Sequence, residues 1–231
     1  MEEIKNNYLS LIYNTKARPK TNYPDQLVKY LTSQFKLTQN SKVLEVGCGR
    51  GDFLTAFQKA NFNCVGVDLE QSSLDLSPNL DISICDISKE SLPYKNNSID
   101  IVFHKSLIEH LYDPSTLMKE TYRILKPNGK LIILTPDWHT QMKNFYDDFT
   151  HCRPFVMTTM LNVLKVYNFK NTKAEKFYQL PIIWKYPAIK ILSKFLQMFC
   201  NVYCGRWLTN KTKSKFFRFS VELMILGYGE K

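Results

Sequence analysis

The sequence predicts an α/β fold in which a mostly parallel sheet is covered by helices on both faces. Three observations carry this reading. Short apolar strands alternate with helical segments, a glycine cluster follows the first strand directly, and no run approaches the roughly 18–20 apolar residues of a membrane span. Tyr23 to Phe35 has helical spacing (Leu27, Val28, Leu31, Phe35) and opens after Pro24-Asp25. Lys42–Gly47 reads as a short buried strand, followed by glycines and a helix from Asp52 to Ala60. Asn63–Asp68, Asp81–Asp86 and Ser98–Phe103 read as the second to fourth strands. A helix from Pro114 to Leu125 stops before Pro127-Asn128-Gly129, and Lys130–Thr135 is the fifth strand. Beyond it, Pro154–Val166 is helical, Ala174–Leu180 strand-like, Pro187–Cys204 a long apolar helix and Phe216–Tyr228 a long strand. With no internal repeat and no flexible linker, residues 1–231 read as one domain. Residues 1–38 are expected as an N-terminal helical cap, 40–180 as the core, and 181–215 as an amphipathic helical insertion before the last strand.

The length, 231 residues, suffices for a real core, and 44% hydrophobic with 23% charged residues argues against disorder. The formal charge of +10 is unevenly spread. Residues 1–115 hold 12 basic and 14 acidic residues, whereas 116–231 hold 19 and 7. Between Met160 and Ser220 stand 12 basic residues and one acid, Glu175. That excess points to an anionic partner near the C-terminal third, or to a solvated basic face. The six cysteines (Cys48, Cys64, Cys85, Cys152, Cys200, Cys204) lack CxxC spacing and read as small buried hydrophobes in a reducing compartment. With an acidic, polar N-terminus and no signal peptide, a cytoplasmic protein is expected.

The strongest local signal is Glu45-Val-Gly47-Cys-Gly49-Arg-Gly51-Asp52. Glycines between a buried strand and a helix let a ligand approach the backbone and leave helix N-terminal amides available. Asp68 ends the next strand, 21 residues after Gly47, where a carboxylate accepts both hydroxyls of a ribose. Asp86 ends the third strand in the matching position, near an adenine. A dinucleotide fingerprint requires a third glycine three residues after Gly49, and that position is Asp52.

The G-x-G-x-G pattern, with Glu45 two residues before it, resembles motif I of the class I S-adenosylmethionine (SAM) dependent methyltransferases. The resemblance extends over about residues 40–180 through Val65-Gly-Val-Asp68-Leu-Glu70, Ser98–Leu111 and Arg123–Ile133. It implies a Rossmann-like fold with a seven-stranded sheet of order 3-2-1-4-5-7-6, and SAM as cofactor. It further implies that Gly47, Gly49 and Gly51 line the cofactor, that Glu45 orients the loop or the amino group, and that Asp68 with Leu69 beside it holds the ribose. Asp86 and the backbone of Ile87 would meet the adenine, and His104 and Lys105 the methionine end. Asp86 has an alternative reading as the cap of a turn at Ser88.

All four histidines (His104, His110, His139, His151) fall within one 48-residue stretch running from the end of the fourth strand past the fifth, the ligand-bearing rim of such a sheet. In ubiquinone-pathway O-methyltransferases a similar E-x-x-E-H stretch holds a metal. Here Ser106 stands in place of its first acid, so no metal site is expected. The segment Asp148-Phe-Thr150-His151-Cys-Arg153-Pro-Phe resembles one in bacterial methyltransferases associated with polysaccharide and cell-envelope biosynthesis. It implies His151, with His110 as alternative, as base, Asp148 as the orienting acid, and Arg153, Asp137 and His139 as acceptor-binding residues.

In Pro187–Cys204, Lys190, Ser193, Lys194, Gln197 and Asn201 form one polar stripe, and the remaining apolar face is too wide for packing on a sheet. Flanking Trp184, Tyr186, Trp207 and lysines suit an interfacial helix on an anionic membrane over residues 187–218. A cap over the substrate pocket or a homodimer contact are the other readings. A nucleic-acid partner is not expected, because the apolar residues exceed what a phosphate groove needs. The function expected is O-methylation of a sugar or lipid-linked small molecule in cell-envelope glycan biosynthesis by a protein peripheral to the inner membrane face. A quinone or lipid O-methyltransferase, a non-catalytic SAM- or nucleotide-binding subunit and, more remotely, an RNA methyltransferase are the alternatives.

Overall fold

The computed structural model describes residues 19–231. Helix α1 is Tyr23–Gln34, with Leu27, Val28 and Leu31 fully buried as the apolar spacing requires. Strand β1 (Lys42–Val46) leads through the glycines into α2 (Asp52–Lys59), then β2 (Asn63–Asp68), a one-turn helix α3 (Ser72–Leu76) and β3 (Ile82–Ile84). Strand β4 (Ile99–Lys105), a 3-10 turn at Ile108–His110, α4 (Ser115–Ile124) and β5 (Leu125–Pro136) follow. The remainder comprises α5 (Trp138–Gln141), α6 (Met157–Val166), β6 (Lys170–Phe177), α7 (Pro181–Lys185), α8 (Lys190–Phe199), α9 (Val202–Thr212), α10 (Lys215–Val221) and β7 (Met224–Glu230).

The seven strands form one sheet in the order β3-β2-β1-β4-β5-β7-β6, as expected. β1 pairs in parallel with β2 and β4, and β2 with β3. β7 runs against β5, since the Lys231 amide donates to the Gly129 carbonyl while the Asp137 amide donates to that of Leu223. The sheet is therefore mixed.

Two compact units divide the chain. The first takes the described residues through His104, with Asp113–Ile132 and Glu230–Lys231. The second takes Lys105–Tyr112 and Ile133–Gly229. In the first, Val43, Leu44, Leu54, Phe57 and Phe103 are fully buried or nearly so, and the Phe57 and Phe103 rings sit 5.5 Å apart in edge contact. The register opposite Val46↔Val67 brings the glycine turn beside the end of β2, where the Gly47 and Cys48 amides both donate to the Val67 carbonyl. In the second, Tyr178, Leu180, Ile183 and Leu223 form a cluster on which Ile189, Phe216 and Phe219 pack.

Three expectations are corrected here. The strand expected over Phe216–Tyr228 is a helix, α10, followed by the shorter β7. Ser214 opens α10 by accepting from the Phe216 amide, and Arg218 pairs with Glu222 one turn on, so local capping outweighs aromatic strand propensity. The single helix expected over Pro187–Cys204 breaks at Cys200–Asn201, because the Asn201 side chain accepts from the Tyr203 and Cys204 amides and starts α9. At that break Cys200 and Cys204 pair as a disulfide with Cα atoms 5.4 Å apart, so these two are not thiols, whereas Cys48, Cys64, Cys85 and Cys152 are free. Of the expected N-terminal cap, residues 1–18 lie outside the described residues. Among the described residues no helix is long and apolar enough to cross a membrane.

Glu222 anchors the second unit. It is 3% exposed and accepts from Arg206 Nε at 2.5 Å and Arg218 Nε at 2.8 Å, while Arg206 also meets Asp147 at 2.9 Å. Glu222→Ala leaves two guanidiniums facing a void. Because both reach water, the expected loss is about 2 kcal/mol rather than the larger value of a sealed pair, read as a lowered urea midpoint.

Candidate active site

The first unit supplies a cofactor cradle built mainly from backbone. Gly47, Gly49 and Gly51 all adopt left-handed φ (71°, 51° and 67°), and a Cβ at Gly51 would collide with Leu80. Asp68 ends β2, its carboxylate accepting from the Gly49 amide at 2.6 Å and the Glu70 amide at 2.9 Å. Burial pushes its carboxyl above the usual range, against the pull of those amides. Each carboxylate oxygen carries a second lone pair, so this acid both fixes the loop and can accept ribose hydroxyls. Glu45 is buried in β1, and Leu69 holds its apolar side chain 46% exposed next to Asp68.

His104 ends up wholly inside β4. Neither ring nitrogen has a hydrogen-bond partner among the described residues, and burial lowers its pKa to about 3, so the imidazole is neutral. A buried polar ring left orphaned in this way fits a bound ligand, as do the open glycine turn and the exposed Leu69. Asp86 is engaged as a turn cap, accepting from the Ser88 amide and hydroxyl and pairing with Lys89 at 3.1 Å. Burial opposes its ionisation, but the Ser88 and Lys89 hydrogen bonds outweigh that and hold its carboxyl below the usual range. The next residue, Ile87, is buried.

The second unit gathers the polar side chains. After β4, Ser106 takes a left-handed φ of 54°, and the chain turns into the 3-10 segment carrying Glu109 and His110. The Glu109 carbonyl accepts from the Cys152 and Arg153 amides at 2.9 and 3.0 Å, which docks the 145–153 loop onto this turn. One Glu109 carboxylate oxygen accepts from the Thr135 hydroxyl at 2.8 Å, and the other has no hydrogen-bond partner among the described residues. Burial raises its pKa to about 7, moderated by Thr135 and by Lys105 nearby.

Hydrogen-bond logic fixes both neighbouring imidazoles. The Thr150 hydroxyl donates to Asp148 at 2.6 Å, so toward His110 Nδ1, at 2.8 Å, it accepts. His151 Nδ1 lies 2.7 Å from the Phe145 carbonyl, which only accepts. Both rings therefore carry their proton on Nδ1 and present a lone pair on Nε2. Burial, and then the neighbouring His151 ring, lower the His110 pKa to about 4. The rings are 4.7 Å apart. One ligand atom from each of Glu109, His110 and His151 lies within 4.8 Å of the others, a donor set able to hold a divalent cation.

Several expected residues thus come together, with altered roles. Asp148 accepts from the Thr150 hydroxyl that meets His110 Nδ1, and its carbonyl accepts from the His151 amide at 3.1 Å. Arg153 is exposed and binds the Tyr112 carbonyl through Nε and Nη2. Asp137 is fully buried with Lys176 Nζ at 3.5 Å and His139 Nδ1 at 4.0 Å, while His139 itself is 61% exposed. His139 lines a separate cavity of about 480 Å³ together with Lys143, Gln197, Met198, Phe199 and Val202. Sequence reasoning missed Thr135 and Thr150. The only signal was that Thr150 directly precedes His151.

Residues 44–133 match the family Methyltransf_11, described as a methyltransferase domain. The uncharacterized protein MJ0638 of Methanocaldococcus jannaschii is 27% identical over 95% of this chain and 90% of its own length. Phosphoethanolamine N-methyltransferase 1 of Arabidopsis thaliana is 30% identical over 47% of this chain, but over only 23% of its own length. In fold, the chain is similar to a crystallised SAM-dependent methyltransferase from Archaeoglobus fulgidus, with a TM-score of 0.64, 20% identity, and coverage of 96% of this chain and 99% of that one.

Two measurements test the geometry. Asp68→Ala is expected to weaken SAM binding at least tenfold by calorimetry with an unchanged circular-dichroism spectrum, and unaltered affinity would remove the ribose role. Glu109 carries a folded-state pKa raised to about 7, so its stabilising contribution is complete below its ordinary value of 4.5 and is lost as the pH rises through 7. Glu109→Gln escapes that loss. It should gain on the order of 3 kcal/mol on the wild type between pH 4.5 and pH 8 in urea unfolding. The depressed His104 and His110 act oppositely, stabilising above about pH 6.5, and cancel in this comparison.

Proposed function

We propose that this SAM-dependent methyltransferase delivers its methyl group to a hydroxyl oxygen of a sugar or lipid-linked small molecule used in cell-envelope glycan assembly. One observation carries the reading: His151, its Nδ1 proton committed to the Phe145 carbonyl, presents an Nε2 lone pair beside the neutral His110. A hydroxyl acceptor must shed a proton as it gains a methyl group, and an amine or thiolate need not find a base so placed.

SAM, when bound, supplies an electrophilic methyl group on a sulfonium sulfur. The glycine turn and Asp68 hold the nucleoside, and the buried neutral His104 adds no positive charge to repel a sulfonium. His151 Nε2 would take the proton that the acceptor oxygen sheds as it is methylated, and the Phe145 carbonyl would hold the resulting imidazolium through Nδ1–H. His110 has too low a pKa to serve as that base at neutral pH. It packs edge-on against His151 and keeps the ring in place. Arg153, one edge of which is spent on Tyr112, has N–H groups left for an acceptor phosphate or carboxylate. Tyr112 and Phe149, 83% and 80% exposed, offer aromatic faces of the kind on which sugar rings pack.

A second reading has its own observation. The Glu109, His110 and His151 ligand atoms suit a divalent cation that would bind the acceptor oxygens directly, as a quinone or other lipid O-methyltransferase could use.

The test incubates the protein with labelled SAM and a membrane glycolipid extract. Label is expected in a methoxyl group. His151→Ala should cut turnover at least a hundredfold while S-adenosylhomocysteine affinity is kept. Label on nitrogen, or unchanged turnover in His151→Ala, would overturn the reading. Loss of wild-type turnover to EDTA, restored by one metal, would favour the second.

A further inference from the structure

Helix α8 is amphipathic in the wrong direction for a helix that belongs wholly to the protein. Its inward side is polar at Ser193 and Gln197, with Leu196 half-buried beside them. Ser193 is fully buried with its hydroxyl 2.8 Å from that of Ser220, and Gln197 donates to the Ser220 carbonyl at 2.7 Å. Its outward residues are Ile191, Leu192, Phe195, Met198 and Phe199, each between 61% and 75% exposed. Their spacing of i, i+1, i+4, i+7 and i+8 places them on one stripe, and the Phe195 and Phe199 rings lie 5.0 Å apart, tilted at 58°. A contiguous apolar surface of this kind is a binding surface.

Its surroundings specify the partner. Lys185, Lys190 and Lys194 are exposed around the stripe, and the Lys185 ammonium sits over the half-exposed Tyr186 ring at 5.2 Å. On α9, Trp207 is 59% exposed beneath Lys211 at 5.1 Å, and Tyr203 is 50% exposed. Residues 160–220 hold 12 basic side chains against one acid. A second copy would bring the same cations to the contact and be repelled. An anionic surface would be attracted, and aromatic rings under ammonium groups are the side chains that settle at a headgroup layer.

We propose that the outward face of α8, with Trp207 and Tyr203 of α9, docks on an anionic phospholipid bilayer. The apolar stripe enters the acyl boundary while the lysines meet the lipid phosphates. The cavity of about 480 Å³ opens beside this face and shares Met198 and Phe199 with it. This docking is independent of which acceptor is methylated.

The full chain is sedimented with vesicles of phosphatidylglycerol and phosphatidylcholine, and with phosphatidylcholine alone. Pelleting is expected with the anionic vesicles at low salt, weakening as salt rises. Ile191→Gln with Phe195→Gln, both at exposed positions, should reduce binding at least tenfold while S-adenosylhomocysteine affinity stays the same. Absence of pelleting, equal pelleting on neutral vesicles, or full binding by the double variant would overturn the proposal. So would a concentration-dependent wild-type dimer, seen by light scattering, that the double variant abolishes.

Discussion

Glu109 is the buried residue on which the turn after β4, the 145–153 loop and β5 converge. Its carbonyl receives two amides from the 145–153 loop, and its carboxylate receives the Thr135 hydroxyl from β5. Together with the Thr150–His110 and Arg153–Tyr112 hydrogen bonds, those contacts fix the loop carrying Asp148, Thr150 and His151 beside His110. A buried carboxyl costs free energy to desolvate, and it is retained where it orders several segments at once. The elevated pKa is the visible trace of that burial. The same carboxyl changes between neutral and ionised with small changes near neutral pH.

The two units use different chemistry. In the first, peptide groups are what the glycine turn offers, since left-handed glycines bare the backbone and a single acid braces them. Such a cradle carries little charge and depends on shape. In the second, side chains do the orienting. A hydroxyl passes the influence of Asp148 to His110, and a carbonyl does the same for His151, so tautomers are set by partners whose own donor and acceptor roles leave no choice. Backbone recognition suits a constant cofactor, while side-chain recognition on loops lets the acceptor vary.

This contrast explains what was legible in the sequence. The glycine turn, Asp68 and the strands around them are local: every signal lies within 30 residues, and the sheet order followed from resemblance to a family sharing them. Asp86 could be placed at a strand end, but its engagement with Ser88 could only be weighed as one of two readings. The Asp148–Thr150–His110 relay joins residues 40 apart through a hydroxyl with no signature of its own, whereas Asp148 and His151 stand three residues apart and could be read as neighbours. The α10 segment was misread because Phe-Phe-Arg-Phe has strand composition, whereas the Ser214 cap and the Arg218–Glu222 pair decide for helix. In α8, periodicity revealed an apolar stripe and a polar one. It could not say which faced inward, because the polar partner, Ser220, comes from another helix.

That inward polarity has a bearing on how the second unit opens. α8 is attached through the Ser193 and Gln197 hydrogen bonds, which trade against water at nearly equal strength, with most of its apolar side chains turned outward. Detaching it from α10 would expose less hydrocarbon than opening the Tyr178–Leu223 cluster, on which Ile189 just ahead of it packs. Its amide hydrogens would then exchange with solvent sooner than those of the sheet, and under native conditions this helix would be the hinged part of an otherwise cooperative unit.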